Sequence, residues 1–164
     1  MLKILGSLLL ITAGTLSGLS ISNSYKQRLH IHKKLVRLYN ETAILLEYSF
    51  PTFGEIVSHL QKSGEYIEFS FLNVDTDEID VRKAVIDAIN NWDKGLESNS
   101  EENLRSFFTK LGTTDIQGQI SYAKLAAVSE QEFIDSVSEK YKQRAKISRT
   151  FGVLGGAMAA IMIA

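Results

Sequence analysis

Residues 111–119 read LGTTDIQGQ. A glycine-rich polar stretch of this kind can cradle a phosphate, ligate a metal or join two helices. The choice decides between an enzyme and a helical scaffold. A phosphate loop needs a Lys followed by Ser or Thr after its glycines, and no such pair follows here. A helix junction accounts for nearly every residue. Leu111 closes one helix, and Gly112 takes the C′ position, where a positive φ suits glycine. Thr114 opens the next helix, with Gln117 as its capping-box partner three residues on. Asp115 falls in the first turn, where the helix dipole favours negative charge. The reading places Gly112, Thr114, Asp115 and Gln119 at a junction between two helices.

Working outward, the chain reads as helices throughout. No proline occurs from Asp115 to Ala164. Along that stretch Ile120, Ala123, Ala127, Ile134, Val137 and Tyr141 step in threes, fours and one seven, which predicts one long helix. Upstream, a helix is expected from near Asn99 to Gly112, with Leu104, Phe107, Phe108 and Leu111 inward. Before it, Val81, Val85, Ala88 and Trp92 mark a helix that starts on Asp75 or Thr76 and stops at Gly95. Residues 65–72, EYIEFSFL, alternate like a strand, but no partner strand appears, so they are read as helical or irregular. Thr52 and Glu55 have capping-box spacing. Phe53, Ile56, Val57 and Leu60 form the stripe of the helix that follows, and Gly64 ends it. The first helix meets no breaker before Pro51 and should run to about Tyr48. With a single proline and no cysteine, the fold class expected is all-α, an antiparallel helical bundle. Disulfides, thiolate chemistry and cysteine-ligated zinc are excluded.

Charge is sorted along the chain. Lys26, Arg28, Lys33, Lys34 and Arg37 form a basic collar without an acid, and Lys140, Lys142, Arg144, Lys146 and Arg149 form a second. Outside the collars lie apolar ends. Residues 4–25 carry no charge over twenty-two positions, enough for a helix to cross a hydrocarbon core of roughly 30 Å. A cleaved signal peptide starting at Lys3 is the alternative. The basic residues follow the apolar run rather than precede it, which favours a retained anchor. Residues 151–164 are also uncharged, and are read as a short second span. The division expected is therefore an N-terminal transmembrane helix (1–25), a helical domain (26–149) and a C-terminal transmembrane helix (150–164). Basic residues flank spans on the cytoplasmic side, so both collars place the body in the cytoplasm. Gly14 and Gly18, and Gly152 and Gly156, are pairs of small residues four apart. Such pairs form grooves for close helix packing, either with each other or in self-association as a homo-oligomer.

Catalytic, cofactor and metal sites are not expected. His30 and His32 are two apart, off the spacing of a helical metal pair, and are read as solvent or headgroup contacts. Asp75, Asp77, Glu78 and Asp80 have the density of a calcium loop but lack its glycine, with Asp80 in that place. They are read as acids at a helix start. No nucleophile elbow or His-Glu-x-x-His motif occurs.

The junction Leu111, Gly112, Thr114, Asp115 and Gln119 resembles that of the stage III sporulation protein AB family. The start MLKILGSLLLITAGTLSG, the segment from Tyr48 to Glu55, and the end RTFGVLGGAMAAIMIA are similar to the same family. Two departures are visible. Pro51 and Thr52 stand in reversed order, and Ile116 replaces a usual basic residue. The resemblance implies a fold similar to the cytoplasmic domains of type II secretion and type IV pilus F proteins. It also implies action in endospore formation, in the mother-cell membrane around the forespore. The partners it implies are a cytoplasmic ATPase encoded beside it and other channel subunits.

Three function classes follow. The leading one is a non-enzymatic membrane platform that docks the ATPase. The second is a membrane-anchored helical module binding lipid or another partner. The third is an extracytoplasmic domain behind a signal peptide. No nucleic-acid partner is expected. For docking, the acidic middle is the expected surface, represented by Asp77, Glu78 and Asp80. It lies farthest along the chain from both collars and is repelled by anionic lipid.

Overall fold

The structure, a computed structural model, describes residues 2–76, 80–92 and 95–163. Among them are five α-helices and one 3-10 turn, with no strand. The helices are α1 (Leu2–Ser49), α2 (Phe53–Lys62), α3 (Val81–Asn90), α4 (Ser98–Lys110) and α5 (Ile116–Ile163), and the 3-10 turn is Ser70–Leu72. The chain forms two compact units. One is the body, Ile31–Phe133, and the other joins Met1–His30 with Ile134–Ala164. Hydropathy and charge suggested boundaries at 25/26 and 149/150; compactness divides the chain at 30/31 and 133/134 instead.

In the body, α1 contributes Ile31, Leu35, Leu38, Tyr39, Ala43 and Leu46 to the core. It stops where expected. Phe50 takes a left-handed φ of 49° just before Pro51, whose ring disfavours a helical residue ahead of it. The capping box then starts α2. The Thr52 N–H donates to Glu55 Oε2 at 2.7 Å, and the Glu55 N–H donates back to Thr52 Oγ1 at 3.4 Å. The backbone and then the hydroxyl bond from Thr52 hold the Glu55 carboxyl below the usual carboxylate range. Its contribution is therefore present at neutral pH and lost as pH falls through that lowered value. Ile56, Val57 and Leu60 are buried, and Gly64 has the positive φ of a helix stop, 69°.

Residues 65–72 are irregular with one 3-10 turn. Tyr66, Phe69, Phe71 and Leu72 are buried, but Ile67 is 80% exposed, so the alternation does not make a strand face. Two cations of the first collar hold this segment. Lys34 Nζ donates to the Glu65 carbonyl at 2.7 Å and pairs with Glu68, and Arg37 Nη1 is 2.8 Å from Glu65 Oε2. The Tyr66 hydroxyl donates to Glu41. Burial, then that hydrogen bond, pushes its pKa far above the ordinary phenol value.

The third helix begins later than the sequence suggested. Asp80 is its N-cap, accepting the Lys83 N–H at 3.1 Å. A cap outcompetes an earlier start because its carboxylate satisfies a backbone donor. Asp77, Glu78, Asp93 and Lys94 lie outside the described residues. Val85 and Ile89 are buried, with Val81, Ala88 and Trp92 partly so. The core closes with aromatic edges: Tyr39 on Phe107 at 4.8 Å, Phe69 on Trp92 at 5.4 Å and Phe71 on Phe108 at 5.7 Å between ring centroids. Such pairs add to burial in the interior.

In the other unit, the ends of α1 and α5 run antiparallel with their backbones in contact at glycines. A Cβ on Gly14 would lie 2.7 Å from the Gly152 carbonyl oxygen and 2.9 Å from Gly156 Cα. One on Gly18 would lie 2.6 Å from the Ser148 carbonyl oxygen, and one on Gly152 2.6 Å from that of Gly14. All four glycines thus face each other within one chain. Tyr25 and Tyr141 extend the pairing, ring centroids 5.7 Å apart. Ser22, buried, accepts from Arg149 Nε at 2.8 Å.

Among the described residues no helix is long and apolar enough to cross a membrane. The spans expected over 1–25 and 150–164 are not seen there. Residues 151–163 give only ~20 Å of helix, and seven of the fourteen residues from Thr12 to Tyr25 are Ser, Thr or Asn.

The glycine contact generates a test. Gly18→Val and Gly152→Val must push the helices apart, whereas Gly155, with nothing within 4 Å of its added Cβ, has room. Hydrogen exchange of the full chain in detergent should show protection lost in 12–25 and 145–158 for the first two substitutions and retained for Gly155→Val.

Candidate functional site

The junction is closed by side chains from three helices. Leu111 ends α4, and Gly112 follows with φ 78°. The helix start differs from expectation by one residue. The Gln119 N–H donates to the Asp115 carbonyl at 3.0 Å, so Asp115 rather than Thr114 flanks α5. Gln117 is exposed, and the glutamine that closes the loop is Gln119. Its Oε1 accepts the Gly112 N–H at 2.7 Å, and its Nε2 donates to the Thr114 carbonyl at 2.8 Å. An amide carries both donor and acceptor, so one side chain satisfies both sides of the loop. Arg82 of α3 caps the other helix. Its Nη1 donates to the carbonyl of Thr109 at 2.9 Å and to that of Leu111. A cation there meets the negative end of the α4 dipole. The guanidinium also lies 4.6 Å over the Phe53 ring. The junction therefore locks α2, α3, α4 and α5 together, and its polar groups are consumed in doing so.

The body also buries a charged cluster. His32 is fully buried and Glu130 is 1% exposed. His32 Nδ1 meets Glu130 Oε1, and its Nε2 is 2.7 Å from Glu97 Oε2. The Ser100 hydroxyl donates to Glu130 Oε1 at 3.3 Å. Phe133 covers the imidazole at 4.7 Å between centroids. Both ring nitrogens face carboxylate oxygens, an arrangement that holds charge inside the body. The solvent or headgroup role expected for His32 is thereby corrected. The spacing carried the signal: 32, 35, 39, 42 and 46 step by three and four, so His32 lies on the buried stripe of α1. Likewise the one step of seven in α5, from Ala127 to Ile134, skips the position where Glu130 is buried. His30 is exposed, and His59 Nε2 lies 3.1 Å from Glu41 Oε1. Above Glu130 a cleft of about 340 Å³ is lined by Ser100, Asn103, Ser129 and Phe133 among others. Burial, reinforced by the negative charge of Glu130, pushes the Tyr39 phenol well above its ordinary pKa. Among the described residues no group of three or more His, Asp and Glu is placed to hold a metal ion.

Of the acids expected at the docking surface, Asp77 and Glu78 lie outside the described residues. Asp80 is occupied as a helix cap. The body does expose apolar groups, with Tyr48 80% and Phe50 68% accessible at the α1–α2 turn.

A family model described as Stage III sporulation protein AB matches residues 3–164. No curated protein and no solved structure matches the chain.

Two outcomes follow. Gly112→Val should destabilise the protein by about 1 kcal/mol or more, because a β-branched residue resists φ 78°; Gly112→Asn should cost less, and equal thermal midpoints would remove the C′ role. His32→Ala leaves buried Glu130 without its imidazole partner and should cost about 1–3 kcal/mol or more. The double variant His32→Leu/Glu130→Leu should regain much of that loss in chemical denaturation.

Proposed function

The chain belongs to the stage III sporulation protein AB family, and on that premise we propose that it is a membrane platform subunit of a sporulation channel complex. In this reading it is not an enzyme: it docks a cytoplasmic ATPase in the mother-cell membrane around the forespore. The observation that carries the reading is charge sorting between the two units. Residues 1–30 and 134–164 hold eight Lys or Arg against two carboxylates, Asp135 and Glu139. Residues 31–133 hold ten against seventeen. A basic unit suits an anionic cytoplasmic leaflet, and an acidic body is repelled from it and left for a basic partner surface.

The membrane role draws on two further features. The run 4–25 has no charge. The hydroxyls of Thr12, Ser17 and Ser24 donate to carbonyls of their own helix at 2.9, 2.9 and 3.2 Å, which lowers the cost of placing them in an apolar medium. For docking, the acids Asp77, Glu78 and Asp80 supply the charge, and the exposed Tyr48 and Phe50 supply the aromatic anchors that stable interfaces use.

Titration of the purified ATPase against the full chain tests this. Asp77→Asn/Glu78→Gln/Asp80→Asn neutralises the patch, and asparagine still caps α3. Affinity should fall at low salt by about tenfold, and the gap from the parent should shrink as salt screens the charge. Equal affinities at low salt would move docking off this patch.

A further inference from the structure

Within the unit formed by residues 1–30 and 134–164, α1 and α5 enclose a cleft of about 330 Å³ just beyond the glycine contact. Its apolar surface comes from Tyr25, Leu29, Tyr141 and Ala145. Its charge comes from Lys26, Lys142, Lys146 and Arg149, and no carboxylate lines it. Four cations around an apolar floor are unbalanced by anything in the cleft. Lys142 lies 4.0 Å from Glu139 in a pair whose two side chains are well exposed. Arg149 is oriented by its bond to Ser22, which spends one of five donors and leaves the fork of terminal nitrogens for a planar or tetrahedral anion. Val153, one turn beyond Arg149, and Leu19, two turns before Lys26, are exposed. By helical spacing they continue the faces of Arg149 and Lys26 respectively.

We infer that this cleft binds one anionic phospholipid. The phosphate sits among Lys26, Lys142, Lys146 and Arg149, the glycerol region rests on Tyr25 and Leu29, and an acyl chain follows Leu19 and Val153. A solvated anion needs only the charges. The tyrosine–leucine floor, where it is not spent on the α1–α5 pairing, and the adjoining apolar side chains suit a ligand that is part hydrocarbon. Basic pockets between helices at the cytoplasmic membrane face recognise headgroups in this manner. The inference rests on the membrane part of the function given above, because a lipid must be within reach.

The test uses the full chain in neutral detergent, titrated with dihexanoyl phosphatidylglycerol, dihexanoyl phosphatidylcholine and inorganic phosphate. Saturable binding of one phosphatidylglycerol per chain is expected, at least tenfold tighter than phosphatidylcholine or phosphate. Lys26→Gln/Lys146→Gln should weaken it about tenfold without touching the Arg149–Ser22 bond. Lys140→Gln/Arg144→Gln removes the same charge outside the cleft and should change it less than twofold. Equal loss in both double variants would reduce the effect to net charge and overturn the site. Phosphate binding as tightly as phosphatidylglycerol would overturn the lipid assignment in favour of a small anion. Flotation with vesicles of phosphatidylcholine alone reads membrane association separately, so failure there sinks the membrane reading and not the cleft.

Discussion

A carboxylate that keeps 1% of its surface accessible, as Glu130 does, is tolerated only where charge and hydrogen bonds replace its water. His32, from the other long helix, provides that replacement, with Ser100 of α4 as a second donor. Glu97, just before α4, takes the far ring nitrogen. The pair therefore fixes more than itself. It sets the register of α1 against α5 in the body, because slipping either helix by a turn would strand a buried charge. The stripes that run on from it, Leu35 to Leu46 on α1 and Ala127 to Ile120 on α5, then fall onto the same core. A misplaced buried polar contact costs more than a shifted apolar one, so the cluster disfavours slipped packings of the body.

Most of the helical layout could be read from the chain because its signals are local. Pro51, the Thr52–Glu55 box, Gly64 and Gly112 act through their own backbone and were legible as such. The glycine pairs were legible too, since Gly14, Gly18, Gly152 and Gly156 sit at packing spacing, and the structure brings them together inside one chain. What escaped was set by contacts distant in sequence. Arg82 caps α4 from twenty-seven residues before Thr109, and nothing in its neighbourhood announces that. His32 and Glu130 lie ninety-eight residues apart. His32 reads as a surface residue because its type is usually exposed, and Glu130 gives no signal of its own, although each stands on a buried stripe. Lys34 and Arg37 were read as part of a collar, yet they hold Glu65 and Glu68 of the body. A charge run thus divides between tertiary ion pairs and open surface, and composition cannot say where.

That division sharpens the electrostatics of function. With Lys34 and Arg37 paired to acids of the body, four other cations, Lys26, Lys142, Lys146 and Arg149, line one cleft in the unit that also carries the apolar ends. The acids concentrate in the body. An arrangement with cation next to apolar helix and carboxylate in the separate body follows the rule by which basic flanks stay on the cytoplasmic side. It is the reason the proposed function assigns partner docking to the body.

The side of the membrane on which the body lies is the measurement that bears on this most directly. The chain has no cysteine, so Ser121→Cys on the exposed face of α5 gives one reactive thiol in the body. With the protein in the membrane fraction, a membrane-impermeant maleimide applied to intact protoplasts should leave Cys-substituted chains unlabelled until the cells are lysed. Labelling of intact protoplasts as fast as of lysed ones would put the body outside and contradict the account.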